Sequence, residues 1–298
     1  MYRKLFPYLQ LTRPANLVTA VADVLAGFAI SGGVGALELF PTSIHIQQPQ
    51  HLLWLCLATI GLYGGGVVFN DVFDAELDKV ERPERPIPSG NATVLTASIL
   101  GISLFLMAFA CAFQVSTTSG IVAMVIALLA LIYDKYGKHT SLGPINMGAC
   151  RGLNLILGMC CSMELWYFGF APLAYIAAIT LISKGEVHGG SKKNYIAAFV
   201  LYALVILAIA AFSYFKSSYF LFAIPFLLFF AYKIFTTLYA AATTNEPSKI
   251  KLAVKTGVIS LIIMNASISA GFAGLAWGLV VLLLLPISLY LARKFAVT

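Results

Sequence analysis

Six of the twelve acidic residues fall in one short window: Asp71, Asp74, Glu76, Asp78, Glu81 and Glu84, within NDVFDAELDKVERPERPIPSG from Asn70 to Gly90. On a helix, Asp71, Asp74 and Asp78 lie at about 0°, 300° and 340°, a single narrow face. Three bare carboxylates on one face repel each other, and a divalent cation would neutralise them. Hard Mg²⁺ takes a few carboxylate oxygens and completes its shell with phosphate oxygens and water. Asn70 adds an amide on nearly the same side. Arg82 and Arg85 follow, beside the stiff turn PIPSG, and a guanidinium suits bidentate recognition of phosphate oxygens. The plainer alternative is a solvated helix end whose charges mark a membrane boundary. The spacing and the Arg-Pro pairs favour the cation-and-phosphate reading.

The elements that position these residues are apolar. Of 298 residues, 60% are hydrophobic and 10% charged, and the mean hydropathy is +0.90. A soluble globular chain carries about a quarter charged residues, so this composition describes a polytopic membrane protein. It excludes soluble enzyme folds, disordered scaffolds and nucleic-acid binders. Ten apolar segments are expected to be helices, near 14–35, 52–72, 92–113, 119–134, 144–161, 165–183, 195–215, 218–241, 252–271 and 274–293. The last two are separated only by Gly271–Gly274, so nine or ten spans fit, as a tight hairpin or one broken element. A single all-helical bundle domain over 1–298 is the simplest organisation. Five scattered cysteines without a CxxC pair make no disulfide framework. No cleavable leader is expected.

Charge orients the bundle. With ten spans, sixteen of the nineteen Lys and Arg residues fall on one side, Lys216 falls on the other, and Arg151 and Lys233 lie inside spans. The positive-inside rule then places the N-terminus and the acidic window in the cytoplasm. Charges inside a bilayer cost roughly 2.5–3.5 kcal/mol each at a helix centre. Asp23, Arg151 and Lys233, each two to three turns from the cytoplasmic end of its span, therefore point to a polar cavity opening inward. Arg151 and Asn154 are near helical register, a common face for diphosphate or acceptor recognition. The alternative is an ion pair of Asp23 with Arg151 or Lys233 that only fixes packing. Tyr133, in the turn YDKYGK, can reach a phosphate or a cation, or serve as an interfacial anchor. Gly64–Gly66 lets the second span approach a neighbour closely.

NDxxDxxxD followed by RPxRPIPSG resembles the first aspartate-rich motif of the UbiA superfamily of intramembrane prenyltransferases, and the opening LTRPANL (Leu11–Leu17) is similar to that family's start. The resemblance implies a UbiA-like prenyltransferase fold. It further implies Mg²⁺, an isoprenyl diphosphate as donor, and an acceptor that it does not identify. By position it assigns metal binding and catalysis to Asp71, Asp74 and Asp78, with Asn70 at the metal, and substrate contacts to Asn16, Arg82 and Arg85. The family's second acidic motif corresponds to ISKGEVHGGSKKNY, which holds one carboxylate, Glu186, and a basic set including Lys184 and His188. Glu186 then completes the metal site or activates the acceptor, with Lys184 and His188 beside the substrate, or the loop is an ordinary basic anchor. SKGEVHGG together with GPINMGACRGLNLILG (Gly143–Gly158) is similar to the EboC-like branch. The expected reaction is Mg²⁺-dependent isoprenyl transfer. The alternative is a non-catalytic relative that binds or helps export a lipid or secondary-metabolite precursor.

Overall fold

The computed structural model describes residues 2–34, 45–138, 140, 142–187 and 189–295. Among them are twelve α-helices and no strand, only an isolated bridge between Val34 and Ile46. The first four are α1 (Tyr2–Leu11), α2 (Pro14–Ile30), α3 (Pro49–Phe73) and α4 (Ala75–Glu81). They are followed by α5 (Val94–Val115), α6 (Thr117–Ile132), α7 (Gly143–Gly158) and α8 (Phe170–Ser183). The chain ends with α9 (Lys192–Lys216), α10 (Phe220–Thr244), α11 (Pro247–Leu282) and α12 (Leu284–Lys294). Eight helical segments among the described residues are long and apolar enough to cross a membrane, and the pair α1–α2, bent by 48°, is a ninth if it forms one span. The count is thus eight or nine by length and composition, against the nine or ten expected. The tenth expected segment forms α7, whose 16 residues fall short of the roughly 20 a bilayer requires.

The starts and stops of these helices follow local chemistry. Pro14, Pro49, Pro144 and Pro247 occupy first-turn positions, where a missing N–H costs nothing. Thr93 and Thr96 form a reciprocal capping box at α5, and the Ser191 side chain accepts from the Asn194 N–H at α9. Gly274, with φ of 84°, breaks α11 and turns the chain back. The two arms touch where Gly278 faces Ala270, so the last two expected segments are a tight hairpin.

Small residues bring the site-bearing helices together. A Cβ on Gly27 would lie 2.0 Å from the Leu155 carbonyl oxygen, and one on Gly158 2.4 Å from that of Val24, so α2 and α7 cross backbone to backbone. On α3, a Cβ on Gly65 would lie 2.6 Å from the Phe105 ring of α5, the close approach expected of Gly64–Gly66. A hydrophobic core runs through α7–α11 around Tyr175, Tyr202 and Phe230, all fully or almost fully buried. Of the long spans, Pro247–Ala273 is by far the most buried, and the others surround it.

Candidate functional site

The acidic window divides at Asp74, where α3 ends and the short α4 begins, although Asp74 N–H still reaches the Asn70 carbonyl and Asp78 N–H that of Asp74. Helical phase is kept, but the three aspartates do not share one partner. Asp71 accepts from Arg13 Nη2 at 2.8 Å and from Arg85 Nη1 at 3.2 Å. The same Arg85 nitrogen donates to Asp78 at 2.7 Å. Asp74 instead meets Lys138 Nζ at 2.5 Å. Asp71 and Asp78 are almost completely buried, so without these cations their charges would be strongly unfavourable.

Two irregular backbone segments deliver the counter-cations. Arg13 sits between α1 and α2 with φ of 48°, a left-handed conformation that costs a non-glycine residue about 1–2 kcal/mol; its salt bridge to buried Asp71 offsets that strain. After α6 the chain makes one π turn, Tyr133–Gly137, closed by Lys138 N–H on the Tyr133 carbonyl. Such turns re-aim side chains. This one sets Asp134 Oδ1 2.7 Å from Asn70 Nδ2 and leaves Lys138 between Asp74 and Asp134.

A cavity of about 210 Å³ leads from this cluster into the bundle. Arg13, Asn16, Asn70, Tyr133 and Asp134 line its polar end; Leu62, Val67, Ile126, Ala130 and Ile179 form apolar walls; Thr59, Arg151 and Asn154 line its interior. Arg151 is committed to an ion pair: its Nη1 donates to Asp23 Oδ2 at 2.7 Å, its Nη2 donates to Thr19 Oγ1, and its guanidinium lies over the Tyr63 ring. Asp23 also accepts from Asn154 at 3.0 Å and from Asn265 at 2.7 Å, while Thr59 donates to Asn154 at 2.6 Å. Arg151 therefore forms the expected ion pair with Asp23 and also lines the cavity. The network joins α2, α3, α7 and α11. Lys233 does not line the cavity and rests against Phe229.

The sequence-derived candidates therefore separate. Asn16, Asn70, Tyr133, Arg151 and Asn154 meet at the cavity. Asp71, Asp74, Asp78 and Arg85 form its charged rim through shared partners. Arg82 and Lys184 are exposed. Glu186 is half-buried on the loop after α8, where burial pushes its carboxyl above the usual range while Lys251 and Arg82 pull it down. His188 lies outside the described residues. Arg13, Lys138 and Asp134 join the site without a local signal in the sequence: their pairings cross 58 to 64 residues, and only the π turn is foreshadowed, by YDKYGK.

Among the described residues, no three His, Cys, Asp or Glu side chains gather into a metal-holding group. The donor chemistry nonetheless suits Mg²⁺: hard carboxylate and amide oxygens, two of the carboxylates close enough to share one Arg85 nitrogen. A divalent cation bound here would compete with the side chains of Arg13, Arg85 and Lys138 for the same oxygens.

A family model described as the UbiA prenyltransferase family matches residues 24–254. The digeranylgeranylglyceryl phosphate synthase of Saccharolobus solfataricus is 29% identical over 194 residues, 63% of this chain and 65% of that one. That of Methanothermobacter thermautotrophicus is 32% identical over 153 residues, 51% of this chain and 50% of that one. The chain thus spans less than two thirds of either relative. A structure from work on digeranylgeranylglyceryl phosphate synthase in membranes superposes with a TM-score of 0.67 at 19% identity, covering 92% of this chain and 99% of that one. A UbiA homolog from Archaeoglobus fulgidus bound to DMAPP and Mg²⁺ gives 0.64 at 14% identity, covering 90% and 99%. These structural likenesses are likenesses of fold.

Proposed function

We propose that this chain, which belongs to the UbiA prenyltransferase family, transfers an isoprenyl group from its diphosphate to an acceptor inside the membrane. The observation that carries the reading is the cavity itself, which joins a rim of buried aspartates and their cations to apolar walls. Two further facts support it: the archaeal relatives are named as synthases of a prenylated glyceryl phosphate, and a homologue was solved with DMAPP and Mg²⁺. Asp71, Asp74, Asp78 and Asn70 would hold Mg²⁺, with Glu186 approaching from the loop after α8. When bound, the ion supplies charge neutralisation to the diphosphate leaving group.

The chain's own residues do the rest. Arg13, Arg85 and Lys138, at the rim, would offer their donors to diphosphate oxygens, as would Arg82 and Lys184 from the surface. The bond from the allylic carbon to the diphosphate oxygen breaks, and its electron pair leaves with the diphosphate. The acceptor nucleophile bonds to that carbon and gives up its proton, with Glu186 as the nearest loop carboxylate to take it. Leu62, Val67, Ile126 and Ile179 keep water from the allylic cation. Asn16, Tyr133, Arg151 and Asn154 position the tail or acceptor along the cavity, with His188 contributing from the loop.

The basic ends of the helices, the N-terminus included, face the cytoplasm in this reading. The likeness of SKGEVHGG and of the α7 sequence to the EboC-like branch supports reading the chain as a member of that branch. A second, non-catalytic reading, lipid binding or export, draws on one observation, that the loop after α8 offers a single described carboxylate faced by Arg82 and Lys251. Retention of radiolabelled geranylgeranyl diphosphate by purified protein, with Mg²⁺ or with chelator, tests the site. Mg²⁺-dependent retention is expected, and equal retention in chelator contradicts it.

A further inference from the structure

On the lipid-facing surface, α9 and α10 part to leave a groove of about 590 Å³ that shares no lining residue with the cavity. Its polar end is made by Lys192, Gly190 and Asn245, and its walls by Phe199, Phe235 and Tyr239. Asn245, at φ of 53°, ends α10 and fixes that polar end: its Oδ1 accepts from the Gly190 N–H and from the Tyr195 hydroxyl, each at 2.8 Å. Phe235 lies ten residues before Asn245, about 15 Å along a helix, which is half of a hydrocarbon core of about 30 Å. The groove is therefore one leaflet deep. Phe199 and Tyr239 are 54% and 72% exposed, so its aromatic wall is presented to lipid.

We infer that this groove holds one anionic phospholipid, its acyl chain along Phe199, Phe235 and Tyr239 and its phosphate at Lys192. Charge selects the headgroup. Within four residues of Lys192 and Asn245 stand Lys192, Lys193 and Lys249 against one acid, Glu246, all of them exposed. The same charges argue against a second copy of the chain as occupant, since a two-fold contact through this face would set both copies' lysines against each other. The bound lipid braces the Gly190–Asn245 contact and, through it, the loop carrying Lys184 and Glu186. The inference does not rest on the prenyl-transfer reading.

Native mass spectrometry of the purified chain, offered equal amounts of phosphatidylglycerol and phosphatidylcholine, tests it. The expected result is one retained phosphatidylglycerol per chain. Lys192→Gln lowers the preference about fivefold, the contribution of one lysine near an anionic headgroup. Ala242→Trp, which fills the groove, removes retention of both lipids while circular dichroism and melting stay those of the parent. Equal retention of the two lipids by the parent chain, undiminished retention in Ala242→Trp, or a dimer cross-linking through Phe199 would each overturn the inference. The comparison on the parent chain stands even where a variant misfolds.

Discussion

Asp23 is fully buried in the first span and is held from three sides, by Arg151 at 2.7 Å, Asn154 at 3.0 Å and Asn265 at 2.7 Å. Asp23→Leu leaves the Arg151 guanidinium buried with only Thr19 and the Tyr63 ring as partners. Breaking a buried pair from one side costs about 3–5 kcal/mol, because the remaining charge is uncompensated. Asn265 loses its acceptor as well, and Asn154 keeps only the Ala20 carbonyl. Arg151→Met leaves the carboxylate buried without its opposing charge, held only by the Asn154 and Asn265 amides. The double variant removes both charges, and apolar replacement of a buried pair is close to neutral or stabilising. The single changes are therefore expected to cost about 3 kcal/mol or more each, and the double much less than either. Reversible unfolding in mixed micelles of the parent, both singles and the double measures the cycle. Additive losses, or an Asp23→Leu cost below about 1 kcal/mol, would refute the network as the element that ties α2 to α7 and α11.

Three further outcomes follow from the rim and the helix crossings. Arg85→Gln removes the cation shared by Asp71 and Asp78, so the metal-free protein loses about 2 kcal/mol and Mg²⁺ restores more stability to the variant than to the parent, read as melting temperature against Mg²⁺ concentration. Lys138→Gln frees Asp74 from a 2.5 Å ion pair, and isothermal titration should show tighter Mg²⁺ binding; unchanged affinity means that lysine and metal do not compete. Gly27→Ala places a methyl group 2.0 Å from the Leu155 carbonyl oxygen, so α2 and α7 must separate at a cost of about 1–3 kcal/mol, with a lower melting temperature and a disturbed Asp23–Arg151 pair.

Much of this architecture is legible in the residues because bilayer physics is one-dimensional. Uncharged runs of sufficient length become spans, and small residues such as Gly65 mark close crossings. The acidic window is legible for a similar reason: its spacing is local, and a helix converts spacing into a face. What composition and periodicity do not carry is which cation answers which carboxylate. Arg13 reaches Asp71 through a left-handed residue, and Lys138 reaches Asp74 through a π turn. Neither backbone irregularity is encoded by a hydropathy pattern. Likewise Asp23, Arg151 and Lys233 look alike as intramembrane charges, yet only the first two meet. Helix α7 reads as a span by composition, and Met159 ends it after 16 residues.

The central claim is that the aspartate rim and its cavity ionise an isoprenyl diphosphate. Its most direct test is pyrophosphate release from geranylgeranyl diphosphate by the purified chain in lipid, with a native membrane extract as acceptor source and Mg²⁺ or chelator present. Release that requires Mg²⁺ and falls at least a hundredfold in Asp71→Asn is the result this account predicts. Mg²⁺-dependent retention of the diphosphate with no release would contradict it and leave a binding protein built on the same fold.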